Sequence, residues 1–119
     1  MAYDDQNIFA KILRGEIPCD KVYEDDHVLA FNDIAPQAPV HILVIPKGPY
    51  VSIDDFGAQA SADEIKGFYA AVSKIAGDKG LSADGFRTIT NTGAHGGQEV
   101  PHFHIHILGG APIGPMVSS

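Results

Sequence analysis

Residues 102–108, with the sequence HFHIHIL, contain three of the six histidines of the chain. Polar and apolar side chains alternate along this stretch, and a period of two residues is typical of a β-strand. The three histidines share one face of this strand, and the apolar residues Phe103, Ile105 and Ile107 share the other. The pattern therefore predicts a strand that packs on a core and presents three imidazole rings on its opposite face.

Three imidazoles in alternation are a poor choice for a purely structural face. Each ring has two nitrogen atoms, and both need a hydrogen-bond partner when the ring is buried. Successive rings on the face are about 6–7 Å apart at Cα, which is close enough to share one small ligand. We therefore interpret His102, His104 and His106 as a functional cluster.

A glycine-rich segment, residues 92–99, directly precedes this strand. Its glycines, Gly93, Gly96 and Gly97, could turn backbone N–H groups toward an anion. The side-chain amides of Asn91 and Gln98 would add neutral donors. The segment predicts a binding site for a small anion such as a phosphate group.

Two chemistries could use these residues. The three histidines could bind Zn²⁺ and leave a fourth coordination position for water. Alternatively, one neutral imidazole could attack phosphorus and form a covalent phosphohistidine while its neighbours orient it and manage protons. The backbone donors and amides favour the phosphorus chemistry, and both interpretations remain open at this point.

The rest of the chain supplies a sheet and two helices. Further β-strands are predicted over residues 19–24, 27–32, 41–45 and 85–91, and residues 7–15 have the apolar spacing of a short helix. Ser61 and Glu64 form a capping box before an amphipathic helix that would end near Gly80. We expect one α+β domain over residues 1–119, with a five-stranded, mostly antiparallel sheet, one long and one short helix, and an irregular tail over residues 109–119.

Length, charge and cysteine content narrow the class of protein. A chain of 119 residues suits one compact domain. Its net charge of −7 argues against binding along a nucleic acid polymer. Cys19, the one cysteine, excludes an intrachain disulfide and fits a reducing compartment. The sequence shows neither a signal peptide nor an apolar run of transmembrane length, so we expect a cytoplasmic protein without membrane contact.

The stretch 102–108 resembles the His-φ-His-φ-His-φ-φ signature of the histidine triad (HIT) nucleotide-binding proteins, where φ is an apolar residue. The resemblance extends over residues 7–117, and its order and spacing are similar to those of the Hint branch. The matching segments are residues 8–12, 16–18, 31–41, 45–47, 91, 96–100 and 108–110. The resemblance implies a HIT-like fold and a homodimeric purine nucleoside phosphoramidase without a metal or other cofactor. Its substrates would be purine nucleoside phosphoramidates, which it would hydrolyse to the nucleoside monophosphate and an amine.

The resemblance also implies roles for individual residues. His104 would attack the α-phosphorus and form a nucleotidyl-histidine intermediate. His106 would contact a phosphate oxygen, His102 would support His104, and His41 would belong to a relay that fixes tautomers and handles the leaving-group proton.

Further residues are implied in nucleotide binding. The ribose-phosphate would be held by Asn91, Gly97, Gln98 and Glu99, and the ribose hydroxyls by Asp33. Asn32 would lie beside the base, and the purine would lie between the apolar side chains of Ile8, Phe9, Ile12, Phe31 and Ile34. Ordinary core packing is an equal alternative for this apolar group, and a turn is an alternative for Asp33.

Three points remain open in the sequence. Glu99 stands where eukaryotic members of the branch commonly have a serine, and both Glu99 and the tail over residues 109–116 resemble bacterial members of the branch. We interpret Glu99 as a residue that tunes handling of the leaving group. Asn32 leaves the preference between adenine and guanine undecided, while Cys19, His27 and His95 match no catalytic position.

Two other functions compete with the phosphoramidase: a purine nucleotide-binding or scaffold protein with incidental hydrolysis, and a zinc protein built on the histidine cluster.

Overall fold

The central feature of the computed structural model, which describes residues 2–117, is a five-stranded sheet. Every strand pairing in this part of the chain is antiparallel, and the strand order is β1-β2-β3-β5-β4. The strands are β1 (Lys21–Glu24), β2 (Val28–Asn32), β3 (Val40–Pro46), β4 (Arg87–Ile89) and β5 (Ile105–Gly109). The α+β class and the five-stranded sheet predicted from the sequence are confirmed.

The centre of the sheet is β3, which pairs with β2 on one side and β5 on the other. Six of its seven residues are buried, as the unbroken apolar run 42–45 predicts for a strand covered on both faces. The tight turn between β1 and β2 is held by Asp25, whose Oδ1 accepts from the backbone N–H of His27 and of Val28. This is the local hydrogen bonding that makes Asp a frequent turn residue.

One face of the sheet carries the main core. Phe103, Ile105 and Ile107 point into it together with the phenyl rings of Phe56 and Phe68. The rings of Phe56 and Phe103 stack with centroids 4.7 Å apart. Burying a side chain of this size contributes about 1.5–3 kcal/mol, so this face anchors the histidine stretch.

The helix that covers this face is α3 (Ala62–Asp78). Ser61 and Glu64 form the predicted capping box, and Gly80, with a φ of +71°, lies just beyond the last turn. Its buried side is the predicted apolar stripe, represented by Phe68, Val72 and Ile75. The long helix was therefore predicted correctly in position and orientation.

The opposite face of the sheet carries a smaller apolar cluster and the histidines. Leu29, Phe31, Leu43 and Ile45 pack there against Phe9. Phe9 belongs to α1 (Ile8–Leu13), the predicted short helix, which Asn7 caps by accepting from the N–H of Ala10. Because α1 covers only part of this face, space is left beside it for a cleft.

Two further helices were not predicted. They are α2 (Ile53–Gln59) and α4 (Gly93–Gly96), so the expectation of one long and one short helix was incomplete. A capping box of Ser52 and Asp55 starts α2, but Phe56 is its one buried residue, which gives no apolar stripe to detect. The four residues of α4 lie inside the segment that was predicted to be a loop.

Several boundaries differ from the predicted ones. The last strand was predicted to begin at His102, but β5 begins at Ile105, and the chain bends at residues 101–102. Gly109, expected in the tail, ends β5, and residues 110–117 have neither helix nor strand. Met1, Ser118 and Ser119 of the predicted domain and tail lie outside the described residues. Among the described residues, none of the helices combines the length and apolar character needed to cross a bilayer.

Candidate active site

A cleft of about 480 Å³ opens beside α1 on the histidine face of the sheet. Two kinds of residue line it. The polar residues are Asp20, Asn32, Asp33, Gln37, Asn91, Glu99, His104 and His106, and most of the others are apolar. The apolar wall includes Ile8, Phe9, Ile12, Ile17, Pro18, Phe31, Leu43 and Val100. The cleft thus offers a hydrophobic compartment next to titratable side chains.

The protonation of His104 follows from its hydrogen bond. Its Nδ1 lies 2.7 Å from the backbone carbonyl oxygen of His102, and a carbonyl oxygen can only accept. Nδ1 therefore carries the proton, and Nε2 keeps a free lone pair. The edge-to-face contact with Phe9, with centroids 5.0 Å apart at 90°, restrains the ring.

His106 is the end of a relay of hydrogen bonds. The backbone N–H of Gln37 donates to His41 Nδ1 over 3.0 Å, so the proton of His41 is on Nε2. His41 Nε2 lies 2.9 Å from His106 Nδ1, to which it donates. His106 therefore carries its own proton on Nε2, as a donor available to an oxygen atom in the cleft.

His102 is placed differently from the other two histidines of the stretch. It is completely buried and does not line the cleft. Its Nε2 lies 2.8 Å from the carbonyl oxygen of Pro46, and its Nδ1 lies 2.6 Å from the hydroxyl of Tyr3. The prediction that all three rings share one ligand is therefore wrong, although His102 does support His104 through its backbone carbonyl.

Burial keeps these imidazoles neutral. It lowers the pKa of His102 to about 4, and it lowers the pKa of His106 to about 4 with help from the neighbouring His104 and His41. Burial also lowers the pKa of His104, against the opposing effects of its hydrogen bond and of the carboxylates of Asp33 and Glu99. A neutral imidazole is the form that can act as a nucleophile.

The glycine-rich segment is arranged differently from the predicted anion nest. The N–H of Gly93 donates to Gln98 Oε1, and the N–H of Gly97 donates to the carbonyl oxygen of Ala94. The Gln98 Nε2 donates to the carbonyl oxygens of Val51 and Val100. These three residues thus brace the loop, and Asn91, Gly97 and Glu99 are the members of the predicted ribose-phosphate group that line the cleft.

The residues predicted to surround the base are brought together at the cleft. All five apolar members line it, with Phe9 and Phe31 buried and in edge-to-face contact at 5.6 Å. Ile8 is 46% exposed and Ile34 is 99% exposed, so these two stand at the mouth. Both alternatives therefore hold for Phe9 and Phe31, which belong to the core and also line the cleft.

Asp33 and Asn32 also line the cleft. Asp33 Oδ1 accepts from the N–H of Ala35 over 2.8 Å, which is a turn contact, and its Oδ2 lies 3.4 Å from His41 Nε2. The Asn32 side chain donates to the carboxylate of Asp20 over 2.9 Å. The turn role of Asp33 is thus present, and each carboxylate oxygen keeps a further lone pair for a ligand hydroxyl.

A metal fits this arrangement poorly. Within residues 2–117, Asp33, His41 and His106 are the one group of potential ligands that lie within 4.8 Å of one another. A metal on His41 Nε2 would need the proton on Nδ1, where Gln37 already donates. The alternative zinc site made of His102, His104 and His106 fails because both nitrogens of His102 are engaged inside the protein.

This sheet and its histidines define the class of the protein: a small α+β protein with a neutral imidazole site in a partly apolar cleft. The family model for the HIT domain matches residues 14–113, and the chain therefore belongs to the HIT family.

Similar proteins agree with this family. The chain is 55% identical to an uncharacterised HIT-like protein of Azospirillum brasilense over 98% of this chain and 95% of that one. It is 48% identical to the purine nucleoside phosphoramidase of Escherichia coli K12, over 96% of this chain and 95% of that one. Among solved structures, a histidine triad protein from Clostridium difficile is 49% identical, with a TM-score of 0.86, 98% of this chain covered and 100% of that one.

Some residues of the site were missed by the sequence interpretation. Cys19, which matches no catalytic position of the family, lines the cleft together with Asp20 and Gln37. Tyr3 contacts His102 from a segment with no strand or helix pattern. No local signal marks these positions, because each depends on a partner that is distant in the chain.

Proposed function

We propose that this protein is a purine nucleoside phosphoramidase, which hydrolyses adenosine or guanosine 5′-phosphoramidates to the nucleoside monophosphate and an amine. The observation that carries the proposal is the tautomer of His104, whose proton is held on Nδ1 by a carbonyl oxygen. This leaves a free lone pair on Nε2 of a residue that lines the cleft. The similarity to the phosphoramidase of Escherichia coli supports the choice of reaction.

The proposed reaction has two steps at the α-phosphorus. His104 Nε2 forms a bond to phosphorus while the phosphorus–nitrogen bond breaks, and the amine leaves with a proton supplied through the relay that ends at His106 Nε2–H. Water then attacks phosphorus, the bond to His104 Nε2 breaks, the proton that water loses restores the relay, and the nucleoside monophosphate is released. Splitting one difficult displacement into two easier ones is the general advantage of a covalent intermediate.

The relay of Gln37, His41 and His106 stabilises the transition state. His106 Nε2–H donates to a phosphate oxygen, where negative charge increases as the nucleophile attacks. His41 fixes the direction of this donor, because its own Nε2–H is given to His106 Nδ1. Removing one such donor typically costs 10²–10³-fold in kcat, about 2.7–4 kcal/mol.

The nucleotide would occupy the length of the cleft. The purine lies against Phe9 and Phe31, with Ile8, Ile12 and Ile34 around it and Asn32 beside it. Asp33 accepts from the ribose hydroxyls, and Asn91 and Gly97 lie beside the ribose-phosphate. Gln98 contributes by bracing the loop, since its amide is fully engaged by backbone groups.

Glu99 is proposed to tune the handling of the leaving amine. It lines the cleft, and its carboxylate can accept from an amine N–H but cannot donate when ionised. A Glu99→Ser variant should therefore change the ratio of rates between substrates whose amines differ in basicity. Unchanged ratios across such a series would contradict this role.

The proposal includes a homodimer that acts in the cytoplasm on nucleotides, without binding nucleic acid polymers or membranes. A single chain of this size buries a modest share of its surface, which makes a dimer reasonable. Sedimentation equilibrium should give twice the 12.6 kDa of one chain. The mass of one chain at micromolar concentration would contradict the dimer.

One assay tests the proposed function. Release of AMP from adenosine 5′-phosphoramidate is measured for the wild type and for His104→Ala, each with and without a chelator. We expect turnover by the wild type, no effect of the chelator, and loss of activity in the variant. Equal activity in His104→Ala would overturn the nucleophile, loss with chelator would support a metal enzyme, and tight AMP binding without turnover would indicate a binding protein.

A further inference from the structure

The chain segment before α1 reaches the histidine cluster from outside the cleft. The hydroxyl of Tyr3 lies 2.6 Å from His102 Nδ1. The edge of the Tyr3 ring also packs against the His102 ring, with centroids 5.6 Å apart at 71°. Tyr3 is not among the residues that line the cleft, so its influence on a bound substrate passes through His102.

The direction of this hydrogen bond is fixed by the other nitrogen of the ring. His102 Nε2 faces the carbonyl oxygen of Pro46 at 2.8 Å and must carry the proton. His102 Nδ1 is then an acceptor, and the Tyr3 hydroxyl is its donor. Because the His102 ring is completely buried, solvent does not reach Nδ1 to take over this role.

Residue 102 depends on these side-chain contacts because it lies outside the sheet. The pairing of β3 with β5 starts at Val44 and Ile105, so no strand pairing holds the bend at 101–102. Two backbone hydrogen bonds remain nearby, from the N–H of His102 to Val100 and from the N–H of Phe103 to Tyr50. The carbonyl oxygen of His102, which accepts from His104 Nδ1, belongs to the same peptide unit as the N–H of Phe103. Its orientation is therefore set jointly by the hydrogen bond of that N–H to Tyr50 and by the anchored His102 ring.

We propose that Tyr3 is a positioning residue for His104. The hydrogen bonds to Tyr3 and Pro46 hold the His102 ring in place. The fixed residue directs its carbonyl oxygen toward His104 Nδ1, and this hydrogen bond keeps the lone pair of His104 on Nε2. The consequence for catalysis rests on the proposed function, whereas the tautomers themselves do not.

The kinetic test compares two tyrosine variants. Tyr3→Phe removes the donor and keeps the ring. Tyr23→Phe is the matched control, since it removes a hydroxyl that donates over 2.7 Å to Asp25, away from the cleft. We expect Tyr3→Phe to lower kcat for adenosine 5′-phosphoramidate by about five- to tenfold, with the Kd for AMP unchanged, and Tyr23→Phe to change neither. A kcat of Tyr3→Phe equal to that of the control would overturn the proposal.

The second test reads the tautomers directly and needs no activity. Long-range ¹H–¹⁵N spectra of histidine-labelled protein should show the proton on Nε2 of His102 and on Nδ1 of His104 in the wild type. In Tyr3→Phe the His104 signals should lose this single-tautomer pattern, while Tyr23→Phe should keep it. A wild-type His102 with its proton on Nδ1, or an unchanged His104 in Tyr3→Phe, would overturn the proposal.

The two failures can be told apart. If the wild type does not turn over the phosphoramidate, the proposed function fails, and the spectra still decide whether Tyr3 positions His104. If the wild type is active and Tyr3→Phe matches it in rate and spectra, the role of Tyr3 fails and the proposed function stands.

Discussion

At the residue scale, the site depends on which nitrogen of each imidazole carries its proton. The alternation of residues 102–107 correctly predicts that Phe103, Ile105 and Ile107 share a core face. It could not predict the tautomers, because these are set by distant backbone groups. The N–H of Gln37 and the carbonyl of Pro46 are two of them. The sequence therefore predicted the histidines that meet in this region but not their protonation.

The lowered histidine pKa values predict the pH dependence of the reaction. A protonated His104 has no lone pair on Nε2, so activity is lost as pH falls through its pKa. Burial lowers the pKa of His104 from the ordinary histidine value of about 6.5. We therefore expect kcat/KM to be constant from high pH down to about pH 6.5 and to decrease at lower pH. Steady-state rates over pH 4–9 check this. An acid limb centred above the ordinary value would contradict it.

Asp33 offers a test of the local electrostatics. Its carboxylate raises the pKa of His104 and of His106, in opposition to burial. Asp33→Asn should therefore move the acid limb of kcat/KM to lower pH, and it should also raise KM if the carboxylate binds ribose. Asp20→Asn is the matched control in the same cleft, and the limb should not move there. A shift to higher pH in Asp33→Asn would contradict the argument.

At the scale of elements, the sequence predicted those with a clear period and missed those without one. The long helix α3 was found because its capping box and apolar stripe agree. The short helix α2 has a capping box too, but its single buried residue, Phe56, gives no stripe. Strand β5 was predicted three residues too long at its start, since alternation continues through the bend at residues 101–102.

The same substitution, glycine to alanine, should have different effects on stability at two positions of α3. A Cβ at Gly77 would meet no atom within 4 Å, whereas a Cβ at Gly67 would lie 2.6 Å from the His27 ring. Gly77→Ala should raise the free energy of unfolding by about 0.5–1 kcal/mol through helix propensity. Gly67→Ala should not give this increase in the free energy of unfolding, because the His27 ring would have to move to accommodate the methyl group. Urea unfolding of both variants checks this, and equal stabilisation would contradict the close contact.

At the scale of the whole molecule, the cleft combines groups from both ends of the described chain. Helix α1 and strand β5 both contribute to its lining, Asn91 adds a side chain from the loop, and Tyr3 contacts His102 from outside the cleft. The family resemblance predicted the contributions of α1, β5 and Asn91, but it did not predict that of Tyr3. It could not predict that the N–H groups of Gly93 and Gly97 are hydrogen-bonded within the loop, because that depends on the turn at α4.

Buried histidines also make global stability depend on pH. Burial lowers the pKa of His102 to about 4, whereas the unfolded chain protonates it near 6.5. Below about pH 6.5 the unfolded state binds more protons, so the free energy of unfolding should decrease as pH falls toward 4. Urea unfolding at pH 7.5, 6 and 5 measures this decrease. A protein equally stable at all three values would contradict it.

The lining of the cleft has a consequence for turnover. Within the described chain it includes Asp20, Asp33 and Glu99 but neither Lys nor Arg. A nucleoside phosphoramidate has one negative charge at phosphorus, whereas the monophosphate product has close to two at neutral pH. Under the proposed function, the same carboxylates repel the product more strongly than the substrate. Hydrolysis therefore increases the repulsion that favours release of the product from the cleft. Added salt screens this repulsion and should lower the rate of product release.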